Sequence, residues 1–110
     1  VTRNKNFLPA CTALLEKKLE LPKGASCATR EELASFICPA IRDLLDRDMG
    51  KLLQLCYQVD LGEDKLKSIL QHSPIATMAM DLSLALVDRQ LLKFQLREKY
   101  GTEWFFDSQT

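Results

Sequence analysis

Between Pro74 and Gly101 the chain runs for 26 residues without a proline or a glycine, and apolar residues recur at helical spacing along the whole stretch. Proline at a first helical position gives up an N–H that has no partner there anyway, and glycine closes a helix by taking the left-handed conformation. The spacing predicts one helix over 74–100, about 40 Å long at 1.5 Å per residue. At 100° per residue, Ile75, Met78, Ala79, Leu82, Ala85, Leu86 and Leu96 gather on one broad face. Met80, Leu84, Val87, Leu91 and Phe94 gather on a second. A narrow polar stripe of Thr77, Asp81, Asp88, Gln95 and Lys99 separates the faces on one side, and Ser83, Gln90 and Arg97 separate them on the other. Two apolar faces need two partners.

That demand is severe in a single domain of 110 residues. The remaining helices of the chain can cover one face. The second is covered either by wrapping those helices further round or by the same helix of another copy, and the length of the helix favours the copy. The expected interface is an isologous patch with Leu84, Val87, Leu91 and Phe94 near its centre.

The upstream sequence supplies shorter helices. Phe7, Leu8, Cys11, Leu14, Leu15 and Leu19 mark the first, with Asn6 as its cap and Pro9 in its first turn. Thr29 followed by Glu32 is a capping box that starts the second, whose apolar face continues from Leu33 to Leu45 across Pro39 and so favours a kinked helix over a broken one. Arg42 with Asp46 and Asp43 with Arg47 read as solvated i,i+4 pairs on its far side. Asp48 can cap a third helix over 49–59, and 63–71 forms a short fourth that depends on its neighbours. The expected fold is all-α: one domain over 1–110, a compact bundle of about five helices with a long C-terminal helix and a short aromatic tail.

That tail, over 102–110, holds Trp104, Phe105 and Phe106. Such a cluster is costly to display in water, so it is expected to pack on the bundle or to anchor a partner protein.

The remaining inventory narrows function by exclusion. Fifteen basic residues balance fifteen acidic ones, which leaves no basic excess to neutralise nucleic-acid phosphates. The first 28 residues carry five basic and two acidic groups, a polarity too small to name a partner. The most apolar window, 75–87, is too short to span a bilayer and contains Asp81. No leader pattern is visible, Val1 reads as a processed or trimmed start, and the expected location is the cytoplasm.

Cys11, Cys27, Cys38 and Cys56 have no CxxC spacing and read as free, packed thiols, with neither a zinc site nor any other metal or cofactor implied. His72, the single histidine, ends the fourth helix and reads as a C-terminal cap. Glycine-rich phosphate loops are absent. No catalytic residue is assigned. Asp81 and Asp88, about 10 Å apart along the helix, are candidates for a polar register or ligand site. The expected function is a non-catalytic protein–protein interaction or structural module acting as a homodimer. The alternative is a small-ligand-binding or catalytic helical domain with a pocket lined by the acidic residues of the long helix.

Overall fold

The computed structural model describes residues 6–100. They form five helices: α1 (Leu8–Leu19), α2 (Arg30–Arg47), α3 (Met49–Val59), α4 (Glu63–His72) and α5 (Ile75–Tyr100). The all-α bundle with a long final helix is thus the observed architecture. The aromatic tail lies outside the described residues.

The helix ends follow the local chemistry. The Asn6 carboxamide oxygen accepts from the Leu8 N–H at 3.0 Å, a first-turn donor that would otherwise be unpaired. The Thr29 hydroxyl accepts from the Glu32 N–H at 3.0 Å, and the Glu32 carboxylate reaches back one residue beyond the cap to the Ala28 N–H at 2.7 Å. At α3 the Asp48 carboxylate accepts from the Lys51 N–H at 3.1 Å. Asp60 closes α3 in the left-handed conformation, and Gly62, with φ +97°, turns the chain into α4 where a side chain would be strained. His72 Nδ1 lies 3.1 Å from the Ser68 carbonyl oxygen, one turn back in α4, and the α4 C-cap is Ser73, whose N–H donates to the Ile69 carbonyl.

α2 runs unbroken through Pro39 because its apolar face is held on both sides of the proline: Leu33 and Ile37 before it and Ile41 after it are fully buried. Asp43 and Arg47 pair at 3.1 Å, whereas Arg42 points back one turn, its Nη2 3.7 Å from Cys38 Sγ. α2 makes the most extensive packing with α5, and α1, α3 and α4 each also touch α5. The long helix is therefore the spine of the bundle. Its 26 residues, about 39 Å at the standard rise, nearly match the 41 Å longest dimension.

The buried side of α5 departs from the two-faced picture. Ser83 is 0% exposed and Gln90 4%, so two of the three residues of the expected second polar stripe sit in the interior, among Ala79, Leu82, Leu86 and Val87, while Arg97 is half-buried. Ser83 is tolerated there because its hydroxyl donates to the Ala79 carbonyl at 2.7 Å, satisfying itself within the helix. Between Ala79 and Gln90 the buried parts of the two faces are thereby joined into one arc covered by the other helices, whereas Ile75, on the first face, is 93% exposed.

All four cysteines are free; Cys11, Cys38 and Cys56 are buried and Cys27 is half-buried. Burial pushes the Cys11 thiol from its ordinary 9.0 to about 12 and that of Cys56 to about 11. A thiol whose folded pKa is raised favours folding below pH 9.0, and that contribution is lost as pH rises towards about 12. We predict a lower urea midpoint at about pH 10 than at about pH 8, with a smaller drop in Cys11→Ala.

Candidate interaction surface

The side of α5 not enclosed by the bundle carries Thr77, Asp81, Leu84, Asp88 and Gln95, with Leu92 at its edge. α4 follows α5 along this edge and leaves an open groove of about 580 Å³ between them. Leu61, Ile69, Leu84, Ala85 and Leu92 supply its apolar lining, and Lys65, Ser73, Asp81, Asp88 and Arg89 its polar one. The helical period explains the arrangement: Lys65 and Ile69 sit four residues apart on α4, with Ser73 four further on at its C-cap, and Asp81, Leu84, Asp88 and Leu92 recur at three or four on α5. Leu92 is 42% exposed, one of the few large apolar side chains so displayed.

Two of the groove charges are committed within the chain. Arg30, at the start of α2, grips Asp88 with both ends of its fork, Nε to Oδ1 and Nη2 to Oδ2, each at 2.6 Å. Arg89 donates to the Asp60 carbonyl at 2.8 Å and to its carboxylate at 3.2 Å, so a cation closes the C-terminal end of α3. Lys93 adds a second donor there, to the Gln58 carbonyl at 3.4 Å, and burial lowers its pKa. Asp81 and Lys65 differ. Among the described residues, Asp81 receives only the Thr77 hydroxyl at 3.3 Å, and Lys65 forms no ion pair.

The residues expected at an interface fall into two groups. Val87 is 0% exposed, inside its own chain. Phe94 is half-buried and stacked on Phe7, with ring centroids 6.0 Å apart, and Arg97 lies over the same ring. Leu84 and Leu91 remain half-buried at the open side of α5, Leu84 on the groove wall. Asp81 and Asp88 do share one wall, as the acidic-pocket alternative supposes, but Asp88 is already neutralised by Arg30. Trp104, Phe105 and Phe106 lie outside the described residues.

Sequence reasoning missed Leu92, Ile69 and Lys65 as members of a common surface. The signal was the four-residue recurrence on the short α4, which reads as ordinary amphipathicity until the position of α4 beside α5 is known. Among the described residues, no group of three or more His, Cys, Asp or Glu side chains is placed to hold a metal ion, and no helix is long and apolar enough to cross a membrane. Compared with protein-family models, with curated proteins and with solved structures, the chain matches none.

Proposed function

We propose that the chain is a protein–protein interaction or structural module that acts as a homodimer through the α4–α5 side of the bundle. The observation that supports this reading is the open groove in which exposed Leu92 and half-buried Leu84 lie beside charges of both signs. An apolar strip framed by mixed charge suits an interface with an apolar centre and a polar rim. It also suits a two-fold arrangement, in which the same patch serves on both copies. Of the interface expected around Leu84, Val87, Leu91 and Phe94, this patch keeps Leu84 and adds Leu92.

Sedimentation of the purified chain across a concentration series tests the reading. The expected result is a twofold mass that forms reversibly as concentration rises. A mass that stays monomeric into the high micromolar range would overturn it.

A further inference from the structure

Resting on the homodimer reading, we infer that a second copy is held in the α4–α5 groove by two symmetry-related ion pairs, Lys65 of each copy with Asp81 of the other.

Four charged side chains line the groove: Lys65, Asp81, Asp88 and Arg89. Asp88 is engaged by Arg30 and Arg89 by Asp60, both within the chain. What remains is one cation on the α4 wall and one carboxylate on the α5 wall, with no ion pair to either among the described residues. A strongly acidic or strongly basic partner would match only one of these two charges and repel the other. A copy of the same surface, turned by a two-fold axis, matches both, because residue i then meets j while j meets i. The apolar residues between the walls, Ile69, Leu84 and Leu92, would be covered in the same contact.

The test uses opposite charge reversals, Lys65→Glu and Asp81→Lys, alone, combined in one chain, and mixed as two separately labelled chains. Both positions reach solvent, so circular dichroism should show the helix content of the wild type in each variant. Each single variant should dimerise on the order of tenfold more weakly than the wild type, because like charges then face each other twice. The mixture of the two single variants should form a heterodimer of near wild-type strength. In it the carboxylate introduced at position 65 of one chain meets the ammonium introduced at position 81 of the other, while the unaltered Asp81 and Lys65 pair across the second contact. Rescue within one chain alone would not distinguish a contact inside the monomer; rescue by mixing does. If the wild type dimerises and the mixture associates no more tightly than either variant alone, the ion-pair inference fails and the homodimer reading stands. If the wild type is monomeric, the reading fails and takes the inference with it.

Discussion

Leu86→Ala is expected to destabilise the chain by about 2–5 kcal/mol, a large fraction of the total for a domain of this size. Leu86 is fully buried on the wide side of α5, among the residues that join α5 to the rest of the bundle. Removing its branched end leaves a cavity in the close-packed core, on the helix that all four others touch. Alanine has the highest helix propensity, so the loss reports packing and not helix formation. Urea unfolding measures it as a lower midpoint with an unchanged slope. Heating should show the same change as a fall in Tm of about 10 °C or more. A loss below about 1 kcal/mol would mean that α5 is not the spine of the fold.

Much of this architecture is legible from residues alone, and the reasons are local. Thr29 and Glu32 announce α2 because a hydroxyl and a carboxylate three apart can satisfy two orphan amides. The helix survives Pro39 because the same apolar stripe is buried before and after it, and packing outweighs one lost hydrogen bond. The length of α5 follows from the absence of any breaker before Gly101.

Ser83 and Gln90 are where the pattern misleads. Polarity places them in water, but Ser83 satisfies its hydroxyl on the Ala79 carbonyl, and once it does so it packs as a small residue. Val87 is buried in its own chain, and Phe7, outside any helix, stacks on half-buried Phe94. The groove itself depends on where α4 lies, a tertiary fact that a ten-residue amphipathic pattern does not encode.

Leu92→Asp is expected to abolish dimerisation at concentrations where the wild type is fully dimeric, without unfolding the monomer. Leu92 is 42% exposed, so a carboxylate there stays solvated in a single chain and costs the fold little. In the proposed dimer the same carboxylate enters the groove on both copies, where the cations are already paired, and must lose water without gaining a partner. Burying a carboxylate that gains no partner costs several kcal/mol, which corresponds to on the order of 100-fold or more in affinity. Leu86→Ala and Leu92→Asp therefore act on different equilibria, the first on folding at the closed side of α5 and the second on association at its open side.

Sedimentation equilibrium of wild type and Leu92→Asp side by side is the most direct test of the homodimer through the α4–α5 groove. The prediction is a concentration-dependent dimer for the wild type and a folded monomer for the variant across the same range. Equal masses for the two chains, whether both dimeric or both monomeric, would contradict it.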